Sequence, residues 1–292
     1  MGVQLNNVLQ SSVGNRADSA RHIDLKFRAD WLVLMNMLHQ QKFGVKDKTL
    51  MEIGTGWFPV LPICFALAGA RQVHSYDLSR HLLQDTASAV LRQLKPQLDE
   101  LAKACDQPLS ELASRHARLS AAADGPGILQ RAGIEYHAPA DASRTGLAAG
   151  AVDLVFSNSV LEHVSESQLA AIMNESARLL AAGGLVLHSV NCGDHYAYFD
   201  RSITQIHYLR FTAQQWRRWN NDLLFQNRLR PEDFVAAAEA AGLRVVSQIR
   251  TVRQDLLANL PLTPIAPEFH QYSADELCTT SVTFVAQAVH RS

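Results

Sequence analysis

The spacing of apolar residues changes period repeatedly along the chain. Between Ser19 and Gln41, Ile23, Leu25, Phe27, Trp31, Leu32, Leu34, Met35 and Leu38 recur at three- and four-residue intervals, which predicts a helix. From Thr49 to Ile53 the pattern becomes a short apolar run stopped by Gly54, the mark of a buried strand. Trp57 to Ala70 is apolar and helical in length, and Gln72 to Asp77 is a second short strand ending in an acid. Further strands are predicted at Glu135 to His137, Val152 to Asn158, Gly184 to Val190, Arg244 to Val252 and Ser281 to Ala288, with helices over 166–181 and 231–241. Strand and helix taking turns over most of the chain predicts an α/β fold, a parallel-dominated sheet with helices on both faces.

Two stretches break that rhythm. Residues 83–133 exceed a single crossover helix and are rich in Ala, Leu, Gln and Arg, so an inserted helical pair covering the sheet is expected. Residues 192–230 gather His195, Tyr196, Tyr198, Phe199, Tyr208, Phe211, Trp216 and Trp219 into one connection after a strand. Such long connections are often lids or binding elements. The alternative is a small satellite core, with Trp216, Trp219 and Leu223 at helical spacing. Arg210, Arg217, Arg218, Arg228 and Arg230 lie in the same stretch; they either grip an anionic substrate group in a two-point fork or form a solvated face. The expected organisation is an N-terminal helical cap over 1–48 and one main domain over 49–292 that carries the helical insertion and the aromatic lid.

Composition then narrows the function. With 292 residues, 47% of them hydrophobic, the chain can bury a sizeable core. The 27 Lys and Arg against 28 Asp and Glu leave a formal net charge of -1, so the basic excess of a nucleic-acid binder is missing. No apolar run approaches the ~20 residues that cross a bilayer. The first twenty residues also lack the apolar core of an export signal. A cytoplasmic protein with neither nucleic-acid nor membrane partner is expected, its assembly open between monomer and homodimer. Cys64, Cys105, Cys192 and Cys278 are far apart with no CxxC pair, which fits a reducing compartment and argues against a structural zinc site.

Candidate chemistry concentrates where the first strand meets its helix. In Glu52-Ile-Gly54-Thr-Gly56 the glycines allow a tight bend and close approach to a ligand, and the next helix offers unsatisfied N–H groups. Asp77 ends the second strand about 20 residues on, where an acid can take two ribose hydroxyls. A dinucleotide fingerprint would place a third glycine at position 59, which is Pro59, so NAD binding loses ground. The acid two residues before the first glycine resembles instead the first motif of class I S-adenosylmethionine (SAM) methyltransferases. Further motifs follow in that family's order: Asp77, then Asp141 in Ala138-Pro-Ala-Asp-Ala142, then the run Val152 to Val164 with its Leu-Glu-His ending, then Gly183-Gly184-Leu-Val-Leu187. The family's third glycine, expected at position 58, is Phe58 here.

The resemblance covers roughly Thr49 to Val190. It implies a Rossmann-like sheet of seven strands with the last antiparallel, and SAM as cofactor. It also implies a cofactor site made by Glu52, Gly54, Thr55 and Gly56, by Asp77 with Leu78, by Asp141 with Ala142, and by Asn158. Glu52 would pair with the cofactor's ammonium group, Asp77 would take the ribose and Asp141 the adenine amino group.

Methyl transfer is an in-line displacement whose rate comes largely from alignment, and an oxygen or protonated nitrogen acceptor additionally needs a base. His163, after the fourth strand, is the first candidate for that base, and packing or loop-holding is its other reading. Asp194 and His195, after the fifth strand, are a second candidate pair, either base and orienter or substrate clamp. Glu162, beside His163, reads as solvated, with orienting a neighbour as its other reading. No metal is expected, because His188, Asp194, His195 and Asp200 show no diagnostic ligand spacing. The N-terminal helix, with Arg28 and Trp31, is a candidate cover for the cofactor. The expected function is SAM-dependent methylation of a small molecule at oxygen or nitrogen. The alternatives are an NAD(P)-dependent oxidoreductase on the same scaffold, or a catalytically silent SAM-binding protein.

Overall fold

Five consecutive buried residues, Thr49–Ile53, form β1, and such unbroken burial is what a central parallel strand covered on both faces requires. The computed structural model describes residues 18–221 and 225–289, so Leu223 lies outside the described residues. The other strands are β2 (Gln72–Tyr76), β3 (Ile134–His137), β4 (Val152–Asn158), β5 (Leu180–Asn191), β6 (Leu243–Val252) and β7 (Thr279–Ala288). They form one seven-stranded sheet in the order β3-β2-β1-β4-β5-β7-β6. β1 pairs in parallel with β2 and β4, β2 in parallel with β3, and β7 runs antiparallel to β6. That is the mixed α/β sheet, last strand reversed, which the motif series implies.

The described chain divides into two compact units, one reaching Ser157 and including Arg178–Leu187, the other Asn158–Ala177 and everything from His188 onward. In the first unit, Ser19–Leu25 and Leu32–Gln40 are α-helical and are joined by a single π-helical stretch, Lys26–Trp31. Phe27 and Trp31 are fully buried, their rings stacked at 5.7 Å, and Trp31 meets Phe65 edge-on at 6.1 Å. Trp31 is therefore part of the core. Arg28 is tied to Asp24 at 3.0 Å and to Glu100 at 2.5 Å.

The helix predicted from Trp57 is shorter, Val60–Leu67, because Pro59 caps its start and Gly69, at φ +94°, ends it. Every residue of it is buried. The expected helical pair of the insertion is instead four helices, Thr86–Leu94, Leu98–Ala104, Leu109–Ser120 and Gly125–Arg131. Pro96, Pro108 and Pro126 stand at the breaks, where proline is tolerated in the first turn and nowhere further in. Asp124 caps the last of them by accepting from Gly127 N at 2.8 Å. The connection from β3 to β4, residues 138–151, contains no helix.

The helix starting at Glu166 ends at Leu179, and β5 begins at Leu180, four residues before its expected start. β6 and β7 pair over their whole length, with register shifts at Val245/Ser247 and Thr251/Val252. The aromatic stretch supplies Tyr208, Leu209 and Trp216 to a satellite core shared with Leu256, Phe269 and Leu277. Among the described residues of that stretch, Ala213–Trp216 is α-helical, His195–Tyr198 and His207–Arg210 are 3-10 turns, and Trp219, Tyr198 and Phe199 remain exposed.

Arg228 and Arg230 are neither solvated nor available to a substrate. Arg230 is fully buried and donates to the carbonyls of Cys192 (2.9 Å) and Glu276 (2.8 Å), to that of Thr279, and to the Tyr208 hydroxyl (2.9 Å). Arg228 pairs with Glu268 at 2.9 Å between the rings of Trp216 and Phe269. Among the described residues no helix is long and apolar enough to cross a membrane.

Candidate functional site

The glycine turn is built as the sequence requires. Gly54 and Gly56 sit at φ 78° and 68°, the left-handed region that disfavours side chains. Gly54 N donates to Tyr76 O at 2.8 Å, locking the turn to β2. Gly56 N and Ser79 N donate to the two oxygens of Asp77 at 2.9 and 3.1 Å, so the carboxylate bridges the turns after β1 and β2. A Cβ built on Gly56 would meet no heavy atom within 4 Å, which leaves room for a ligand against the backbone.

The register Glu52↔Ser75 sets those side chains side by side on one face. Glu52 is 2% exposed, accepts a hydrogen bond from the Ser75 hydroxyl, and Ser75 in turn shares one with Thr55. Burial pushes the Glu52 carboxyl up to about 7; the Ser75 hydrogen bond opposes the shift and the Asp77 charge adds to it. A buried carboxyl held at that level gains most from a cation, and the ammonium of SAM is one. The open space at Gly56 and the buried acid together fit that cofactor.

The remaining cofactor candidates differ in setting. Leu78 is 63% exposed, an apolar surface next to the ribose acid. Asp141 is exposed and closes a turn by accepting from Ser143 N at 2.8 Å, with Ala142 buried behind it. Asn158, the last residue of β4, is buried. Phe58 is buried too, its ring 5.7 Å from His22 in the N-terminal helix, so the bulky residue in place of glycine packs against protein.

In the second unit, Leu161–His163 is one 3-10 turn directly after β4. Asn227 holds it, its side-chain amide donating to the carbonyls of Leu161 and Val164 at 2.7 and 3.0 Å. Glu162 is buried at 1% exposure, contrary to the solvated position expected for it. His163 Nδ1 lies 2.7 Å from the Phe225 carbonyl, and the His163 and His195 rings meet edge-on at 5.0 Å. Burial lowers the pKa of both imidazoles, that of His195 to about 4, with the His163 charge adding to the effect at His195. Gln226 fixes the loop of His195, accepting from its N–H at 3.2 Å and donating to Gly193 O at 2.6 Å.

Asp194 is not the partner of His195. One of its oxygens accepts from Tyr196 N at 2.9 Å and the other lies 3.7 Å from His207 Nδ1. The set His188, Asp194, His195 and Asp200 is not gathered either: His188 is buried against Phe284 at 5.6 Å, its pKa lowered to about 3 by burial. Ligand-type atoms of Glu162, His163 and His195 do lie within 4.8 Å of one another. The sequence offered Glu162 through its Leu-Glu-His context. Gln226 and Asn227 carried no signal, because only the folded loop brings them to the turn.

A family model described as a methyltransferase domain matches residues 32–248. No curated protein matches the chain by sequence. Among solved structures, geranyl diphosphate C-methyltransferase from Streptomyces coelicolor A3(2), in complex with Mg2+, geranyl diphosphate and S-adenosyl-L-homocysteine, aligns with a TM-score of 0.50 at 13% identity, covering 93% of this chain and 86% of that one. The chain described as a methyltransferase in the Haloferax volcanii complex with the Trm112 methyltransferase activator aligns with a TM-score of 0.50 at 14% identity, covering 94% and 95%. At such identities the likeness shows the fold. The family match decides between the methyltransferase reading and the two alternatives: this chain belongs to the class I methyltransferases and is an enzyme that uses SAM.

Proposed function

We propose that this methyltransferase acts in the cytoplasm on an oxygen or nitrogen of a small-molecule acceptor, with His163 as the base and His195 beside it. The observation that supports the reading is the imidazole pair meeting edge-on at 5.0 Å, with the pKa of each lowered by partial desolvation and His163 reaching the surface. A carbonyl only accepts, so the bond to Phe225 O puts the His163 proton on Nδ1 and leaves a lone pair on Nε2. That lone pair is what an acceptor O–H or N–H must meet to lose its proton. SAM supplies a methyl group already activated by its sulfonium. The protein's task is to hold the cofactor through Glu52, Asp77, Asp141 and their neighbours, and to orient the acceptor. A net charge of -1 supports a small acceptor over a polyanion, and four free thiols are consistent with a reducing compartment.

The test compares His163→Ala and His195→Ala with the parent by SAM titration calorimetry and by release of S-adenosylhomocysteine over a panel of hydroxyl and amine acceptors. His163→Ala should keep SAM affinity within about twofold while turnover falls by about 10²–10⁴. Unchanged turnover, or a product whose new methyl sits on carbon, would overturn the assignment.

A further inference from the structure

Away from the glycine turn, β2 and β3 carry a second group of ligating side chains. The parallel register pairs His74 with Glu135, and His137 lies two residues further along β3, so all three share one face of the strand pair. Glu135 Oε2 is 3.1 Å from His74 Nδ1 and 3.7 Å from His137 Nε2, and the ligand atoms of all three lie within 4.8 Å of one another. Points with those separations share a centre roughly 2.4 Å or less from each, close to the Zn–N and Zn–O distances of about 2.0–2.2 Å.

We propose that His74, Glu135 and His137 bind a divalent first-row transition-metal ion, of which Zn2+ is the type. Two imidazole nitrogens converge on one carboxylate oxygen, which is more than an ion pair needs and is the donor set such ions prefer. Supporting contacts of the kind that orient metal ligands are present. Gln72 Nε2 donates to Glu135 Oε1 at 2.7 Å, turning the other oxygen toward the imidazoles, and Tyr76 stacks on the His137 ring at 4.5 Å. Glu135 is half-exposed, which gives the ion a way in and leaves a coordination position for water. The connection after β3 brings no helix over this strand pair. The backbone carbonyl of His137 accepts from Asp77 N at 3.0 Å, so an ion here would stiffen the strand that holds the ribose acid.

Tag-free protein stripped with chelator is titrated with Zn2+ by calorimetry, alongside Glu135→Gln, His137→Ala and His195→Ala. The expected result is one ion per chain, bound at least about tenfold more weakly by the first two variants and unchanged by the third. Absence of stoichiometric binding, or binding lost in His195→Ala and kept in His137→Ala, would overturn the site. Co2+ titration of the parent protein needs no variant: strong visible absorption from low-symmetry nitrogen coordination is expected, and the weak spectrum of the hydrated ion would count against the proposal.

Discussion

Glu52 makes the stability of this enzyme depend on pH in an unusual direction, and the size of the effect follows from its burial. The carboxyl titrates at about 7 in the fold against an ordinary value of 4.5. Between those two pH values the folded chain holds a proton that the unfolded chain has released, so stability falls as pH rises through that window and levels off above it. The full difference is worth roughly 3 kcal/mol, a large fraction of a typical domain's stability. Glu52→Gln keeps the shape and removes the titration. Urea unfolding of cofactor-free protein, from about pH 4.5 to about 8.5, should show a drop of that order in the parent that is missing in the variant. Other titrating groups contribute equally to both chains and cancel in the difference. The variant should be the more stable chain at the alkaline end, and parallel curves would refute the reasoning. SAM reverses the ranking: its ammonium draws the proton off Glu52, so the parent should release protons on binding near neutrality and the variant should bind at least about tenfold more weakly.

Two further predictions concern single groups. Asp77→Ala removes the acceptor that bridges Gly56 N and Ser79 N and should abolish SAM binding in calorimetry while the circular dichroism spectrum is kept; unchanged affinity would disprove the site. The His195 imidazole should stay neutral in NMR titrations down to a pH of about 4, and because its folded value lies below the unfolded one, it should cost stability as pH falls from 6.5 toward that value. Titration near 6.5 would show that its burial is not maintained.

The strands and the glycine turn were legible in the sequence because each rests on a local signal: an apolar run, a glycine that stops it, an acid at a strand end. Glu52 and Asp77 fall on those signals and meet in the structure around Ser75, Thr55 and Gly56. The number of helices in the insertion was misread although its prolines were visible, since Pro96, Pro108 and Pro126 start short helices here. What the sequence could not supply was cross-chain pairing. The burial of Arg228 and Arg230 depends on carbonyls up to 49 residues away, and the convergence of His74 with Glu135 and His137 depends on strand register. Asp194 and His195 are neighbours in sequence, yet one turns to His207 and the other to His163.

Arg230 has a consequence for how the second unit opens. Its guanidinium joins Cys192 after β5, the Tyr208 hydroxyl, and the carbonyls before and at the start of β7. None of these segments can swing out alone without leaving a buried cation short of acceptors, a cost of several kcal/mol. They are therefore bound to open as one cooperative unit. Fluctuations that admit a ligand to this part of the molecule must come from segments outside that knot, such as the exposed Tyr198–Phe199 turn, and not from the satellite core it fastens.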